Sequence, residues 1–119
     1  MAVIIIEELQ VMTTIGAYHW EQALQQKLLI SLEMHYDESK AAASDQLDHA
    51  IDYAQVAESI KNFCAKYRCQ LLEKLAHEIA NLLLKTLPVS QLQIKINKPQ
   101  AVLAAKNTAI LLTFHAEGN

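Results

Sequence analysis

Between positions 28 and 36, apolar side chains fall at every second residue: Leu28, Ile30, Leu32, Met34 and Tyr36, with Leu29, Ser31, Glu33 and His35 between them. Successive side chains of a strand point to opposite faces, so this segment reads as a strand with one packed face and one wetter face. Such a strand needs partners. Val3 to Ile6 is a continuous β-branched run that extends through Leu9 and Val11 to Ile15, where Gly16 interrupts it. It reads as one long strand or a bulged pair of short ones. Only a short polar stretch separates it from the alternating segment, which predicts an antiparallel hairpin. Leu92, Ile94 and Ile96 alternate again before Lys98 and Pro99, and a last strand is expected from about Thr108 to His115.

The middle of the chain has a different period. Residues 39–52 are polar and alanine-rich and read as a surface connection. Asp52, with Gln55 three residues on, resembles a capping-box start, in which a carboxylate meets exposed backbone N–H groups. Val56, Ile60, Phe63, Cys64 and Tyr67 follow at three- and four-residue steps. A second helix is expected from about Leu71 to Leu87, with Leu72, Leu75, Ala76, Ile79, Leu82 and Leu83 as its apolar stripe and Pro88 at its end. Strand, strand, helix, helix, strand, strand predicts an α+β fold: an antiparallel four-stranded sheet with two helices on one face. Four such strands cannot protect their edges, and the other face carries apolar groups, Leu29 and Leu112 among them. Strands of several subunits are therefore expected to close into a ring.

Composition bounds the function. A chain of 119 residues with two glycines and two prolines suits one domain over 1–119 without linkers. A net charge of −3 and the lack of any Lys/Arg run argue against a nucleic-acid partner. No apolar run approaches the ~20 residues that span a bilayer, so no membrane partner is expected. The first residues lack a basic flank and an A-x-A-like site, and a cytoplasmic location is the expectation. Cys64 and Cys69, five apart, would lie on different faces of a helix and are read as reduced thiols, Cys64 in the core. The histidines at 19, 35, 49, 77 and 115 show no close ligand spacing, so no metal site is expected. No Gly-rich phosphate loop and no G-x-S-x-G elbow are present.

Four polar residues stand out. Glu73 lies in the first turn of the second helix, where the helix dipole favours a carboxylate; placed there it either sits in solvent or accepts two parallel N–H bonds from an amidine-like edge. Lys98 ends an alternating strand on the face of Ile94 and Ile96, either solvated or as a proton shuttle. A lysine acts near neutrality only when partly desolvated or set beside another cation. Tyr53 starts the first helix, as packing or as a stacking group at a site mouth. Glu21 follows Trp20 in the first connection, where a surface charge is the default.

The stretches Thr14-Ile15-Gly16-Ala17-Tyr18-His19-Trp20-Glu21, Ser44-Asp45-Gln46-Leu47 through Ile51-Asp52-Tyr53-Ala54-Gln55-Val56, Leu71-Leu72-Glu73-Lys74-Leu75-Ala76 and Ile94-Lys95-Ile96-Asn97-Lys98-Pro99 resemble, in order and spacing, the successive motifs of bacterial dihydroneopterin aldolases. The resemblance runs from Val3 to about Leu112. It departs at the last strand, where Ala109 and Thr113-Phe114-His115 replace the glycine and arginine often seen there.

The resemblance implies the tunnelling fold: four-membered β-barrel rings with helices outside, two rings stacked into an octamer, and sites between neighbouring subunits. It implies cleavage of a small pterin, 7,8-dihydroneopterin, to 6-hydroxymethyl-7,8-dihydropterin and glycolaldehyde in folate biosynthesis, with epimerisation of the side chain as an accompanying activity. The imine at N5 takes up the electrons, so no cofactor, metal or lysine Schiff base is implied. Lys98 is implied as the general acid/base. Glu73 would grip the aminopyrimidine edge with the Leu72 backbone beside it, Tyr53 would stack on or protonate the intermediate, and Glu21 would orient Lys98 or bind side-chain hydroxyls. Two other readings stand beside it. A dihydroneopterin triphosphate 2'-epimerase would need cations for three phosphates, for which the chain offers Lys106 and few others. A non-catalytic pterin-binding ring protein would need no shuttle at all.

Overall fold

The computed structural model describes residues 1–99 and 101–117. The elements are β1 (Ala2–Ile15), β2 (Gln26–Tyr36), α1 (Ser39–Ser44), α2 (Tyr53–Lys66), β3 (Arg68–Cys69), α3 (Leu72–Thr86), β4 (Gln91–Asn97) and β5 (Ala109–His115). The sheet order is β3-β1-β2-β4-β5. The expected hairpin is there, with β1 antiparallel to β2, as are the antiparallel pairings of β2 with β4 and β4 with β5.

Three expectations are corrected. The sheet has five strands and is mixed, because Arg68 and Cys69 pair in parallel with Thr14 and Ile15. The 39–52 connection holds a short helix, α1, capped by Asp45 in the left-handed region. Leu112 lies on the helix-facing side of the sheet, packed against the core with Ile110 and Phe114, while Leu111 (61% exposed) is on the outer face. The pairing of Ile94 with Leu112 decides this, since it fixes which side of β5 follows the buried side of β4. Leu29 does sit opposite the core-facing Leu28 and Ile30, half-buried.

β1 is one strand with a bulge. Its register against β2 shifts between Ile6 and Leu9, and Glu8 takes a left-handed φ of 52°. One extra residue on one strand reverses the side-chain parity beyond it. Ile4 and Ile6 face the helices before the bulge; Leu9, Val11, Thr13 and Ile15 do so after it. An unbulged strand would have turned one of these sets to solvent.

The core lies between the sheet and the pair α2 and α3. Leu28, Ile30, Leu32, Ile94 and Ile96 meet Ile60, Cys64, Leu75, Ala76 and Ile79, all fully buried. Burying each aliphatic side chain here contributes about 1.5–3 kcal/mol. The capping expected at α2 is present: Asp52 Oδ1 accepts from the Gln55 N–H at 3.1 Å. Cys69 lies on β3 rather than on a helix, and both thiols are free.

This topology sorts the chain into two ends. The C-terminal ends of β1 and β4, the start of β2 and the N-terminus of α3 gather at one end. The C-terminus of α2 is there as well, because Thr13 Oγ1 donates to the Tyr67 carbonyl at 3.3 Å. The N-terminus of α2 lies at the far end, close to the last turn of α3: Asp52, Gln55 and Val56 line one cleft with Leu83, Thr86 and Leu87.

Candidate active site

Lys98 follows the last residue of β4, its backbone N–H still bonded to the Thr108 carbonyl at 2.8 Å. It keeps the parity of Ile94 and Ile96 and so points to the helix side at the strand end. There its Nζ lies 2.6 Å from Glu21 Oε2, with the two side chains only 15% and 6% exposed. Glu21, at a position where solvent was the default, is buried in a 3₁₀ turn (His19–Ala23) within the first connection. The neighbour that Lys98 has is a carboxylate, not a second cation.

The Glu21 carboxylate has two further donors. Gln26 Nε2 reaches Oε2 at 3.2 Å, and the Tyr18 N–H reaches Oε1 at 3.3 Å. The Lys98 bond, helped by these two, holds the Glu21 pKa below the ordinary carboxylate value even though burial pushes it up. Gly16 is also part of this seat. It has φ +138°, and a Cβ there would run into the Glu21 carboxylate. Only glycine takes that conformation and leaves that space.

The turn is tied to the rest of the end. The Gly16 N–H donates to the Cys69 carbonyl at 3.3 Å, and Gln22 Nε2 donates to the same carbonyl at 3.2 Å and to the Gly16 carbonyl. Arg68 in turn holds Gln22, its Nε 3.1 Å from Gln22 Oε1 and its Nη2 on the Gln22 carbonyl. Gly16, Gln22, Gln26 and Arg68 were not singled out for chemistry from sequence. The one available signal was a glycine five residues before an acidic residue.

Leu72 and Glu73 open α3, three and four residues beyond Cys69, whose carbonyl anchors the turn, and so lie at the same end as Lys98. Leu72 is half-buried. Glu73 is exposed and, among the described residues, makes no hydrogen bond or ion pair. A free carboxylate on the first turn of a helix is a ready acceptor for a planar N–H pair.

Tyr53 is not brought to this group. It is 62% exposed at the start of α2, at the far end. The 14 residues of α2 put it about 20 Å from the Tyr67 end. Within one chain the structure therefore joins Lys98 to Glu21, places Leu72 and Glu73 at the same end, and leaves Tyr53 apart. Among the described residues one cleft lies on the outer sheet face around Glu33, Gln93 and Lys95, and another lies between α2 and α3 at the far end. The Lys98 end is instead rimmed by exposed apolar groups: Trp20 and Leu24 flanking Glu21, Leu71 before Leu72, and Val102 and Leu103 after Lys98.

The model of the family described as FolB, dihydroneopterin aldolase, matches residues 4–113. The chain is 40% identical to dihydroneopterin aldolase of Escherichia coli strain K12 over 94% of its length and 92% of that protein's. It is 29% identical to dihydroneopterin triphosphate 2'-epimerase of Pseudomonas aeruginosa over 97% of its length and 94% of that protein's. Its fold matches the crystal structure of the E. coli aldolase in complex with neopterin, with TM-score 0.91, 39% identity, and coverage of 96% of this chain and 99% of that one.

Proposed function

The chain belongs to the dihydroneopterin aldolase family and is a lyase of folate biosynthesis, and on that premise we propose how its residues cleave 7,8-dihydroneopterin. The observation that carries the proposal is the buried Lys98–Glu21 pair at the end of the molecule that also presents Glu73. In the retro-aldol step the 2'-hydroxyl loses its proton and the C1'–C2' bond breaks, releasing glycolaldehyde. The electron pair passes into the ring through the imine at N5, and a proton delivered to C1' completes the hydroxymethyl product. The substrate is its own electron sink, so the protein has only to position it and move protons.

Lys98 carries those protons, exchanging them between the side-chain hydroxyl and the N5 region. Glu21 holds its amine in place and meets the side-chain hydroxyls. Glu73, with the Leu72 backbone, grips the aminopyrimidine edge through two charge-assisted bonds. Tyr53 stacks on the ring or protonates the intermediate, and comes from a neighbouring subunit because its own chain holds it at the far end.

Three observations support a ring of copies. β5 is an open edge, and β1 is open along its outer side from Ala2 to Thr13. The chain is drawn out to 51 × 27 × 27 Å, with a radius of gyration of 15.4 Å against about 13–14 Å for a compact chain of this length. Among the described residues the apolar rim around Lys98 lacks a cover. Joining β1 of one copy to β5 of the next closes the sheet and brings one copy's Tyr53 towards another's Lys98. Four copies make the ring and two rings stack, each copy one domain over 1–119. Among the described residues no helix is long and apolar enough to cross a membrane, and the proposed setting is the cytoplasm.

The test is to incubate the protein with 7,8-dihydroneopterin and assay glycolaldehyde and the hydroxymethyl product. Release of both is expected. Epimerised dihydroneopterin triphosphate without glycolaldehyde would favour the epimerase reading instead, for which Lys106 is the exposed cation near Lys98 in sequence. Side-chain epimerisation alongside cleavage would follow from recombination of the two fragments on the opposite face.

A further inference from the structure

Gln26, the first residue of β2, reaches across the end of β1. Its Nε2 lies 2.7 Å from the Ile15 carbonyl and 3.2 Å from Glu21 Oε2. A primary amide has two N–H groups, and both are used, each on an acceptor that can do nothing but accept. The opposite amide orientation would face its own carbonyl towards the Ile15 carbonyl and the Glu21 carboxylate. The orientation is therefore set by chemistry.

Gln26 meets the same oxygen that receives Lys98, whereas the Tyr18 N–H takes the other. The Glu21 carboxylate is thus fixed by a donor on each oxygen besides the lysine, with Gly16 against its back. Ile15 ends β1 and pairs in parallel with Cys69 of β3, so the amide transmits the rigidity of the sheet to a carboxylate in a turn. We propose that Gln26 is a positioning residue for the reaction: by holding Glu21 Oε2 where it meets Lys98 Nζ, it keeps the amine aimed at the reacting end of the substrate. This rests on the lyase reading above. A shuttle displaced by a fraction of an ångström loses its near-attack geometry, so the effect falls on turnover more than on binding.

The test is a double-mutant cycle on the full-length enzyme. Gln26→Met keeps the length and removes both donors. We expect kcat to fall about tenfold, the loss associated with one hydrogen bond to a charged group, with KM changed less than about threefold. In a Glu21→Gln background, with no carboxylate left to hold, the same substitution should change kcat less than about twofold. Gln25→Met, at the adjacent glutamine whose amide donates to the Ala65 carbonyl, is the control and should leave kcat unchanged. If Gln26→Met does not fold, Gln26→Leu also removes both donors with a side chain of similar volume, and the same cycle is read with it. A loss that persists undiminished in the Glu21→Gln background, or full kcat in Gln26→Met, would overturn the role. Wild-type protein that releases no glycolaldehyde would overturn the lyase reading itself, a distinct outcome.

Discussion

Lys98 Nζ and Glu21 Oε2 lie 2.6 Å apart although the residues are separated by 77 positions. One directly follows a strand of the sheet and the other sits in a turn between two other strands, so their meeting is a product of the fold. Removing the amine should remove proton transfer and leave the ring-gripping groups intact. Lys98→Ala is expected to lower kcat by about 10²–10⁴-fold while pterin affinity changes little. Glycolaldehyde release, read beside fluorescence titration with neopterin, checks both halves. A variant with full turnover would sink the assignment of Lys98.

Glu73 should behave in the opposite way. Its carboxylate is exposed on the first turn of α3 and unpaired among the described residues, and its proposed bonds to the aminopyrimidine edge exist before and during the reaction. Interactions made equally in both states affect affinity. Glu73→Ala is expected to weaken neopterin binding at least about tenfold, the loss associated with charge-assisted bonds to a bound heterocycle. Thermal stability should barely move, since the side chain is exposed and, among the described residues, makes no hydrogen bond or ion pair. Unchanged affinity by calorimetry would exclude the contact.

The Glu21–Lys98 pair makes stability depend on pH with a definite sign. Lys98 first, then Gln26 and the Tyr18 N–H, lower the folded-state pKa of Glu21 below 4.5, against the opposing effect of burial. A depressed carboxylate contributes stability that is fully present above its unfolded value and is lost as pH falls through the folded one. Urea midpoints of wild type and Glu21→Gln should therefore differ most near pH 7 and converge below pH about 4.5. A gap that widened towards acid would contradict the sign.

Gly16→Ala tests the seat of the carboxylate. The position has φ +138° and its added Cβ would meet Glu21 before anything else. Strain of this kind costs about 1–3 kcal/mol. The easiest relief is to push Glu21 away from Lys98. Turnover should fall by an order of magnitude or more, while far-UV circular dichroism remains that of wild type. A stable variant with unchanged kcat would show that the carboxylate can move without consequence.

Much of this was legible in the sequence, for reasons that differ by element. β2 and β4 could be read because one face of each is buried without a break, and period two is then unambiguous. Lys98 could be placed on the helix face by counting from Ile94 and Ile96. β5 could not, because Ile110, Leu111 and Leu112 are consecutive apolar residues and either parity fits; only the register with β4 chooses. β3 has two residues, too few for any period, and exists because Tyr67 to Cys69 run beside the end of β1. The burial of Glu21 left only Gly16, five residues before it, as a local trace, since what buries it is mostly a lysine from another strand and a glutamine five residues on. Tyr53 was legible as a helix start, but its distance from Lys98 is a property of helix direction that no motif records.

That distance yields the last prediction. Tyr53 and Lys98 lie at opposite ends of one chain, so a site using both must draw them from different copies. In the proposed ring, Lys98→Ala and Tyr53→Ala should each be nearly inactive when every copy carries the same change. Unfolded together and refolded as mixed rings, they should regain activity. At equal ratio a site is intact when the copy giving the amine carries the tyrosine change and its neighbour carries the lysine change. Random assembly makes that about one site in four, so mixed rings should reach roughly a quarter of wild-type kcat per chain. Unmixed rings combined without unfolding should stay inactive, which separates shared sites from contamination. If mixed rings recover nothing while each variant still assembles, the tyrosine and the amine serve the same copy or the tyrosine serves no site, and the shared-site geometry fails.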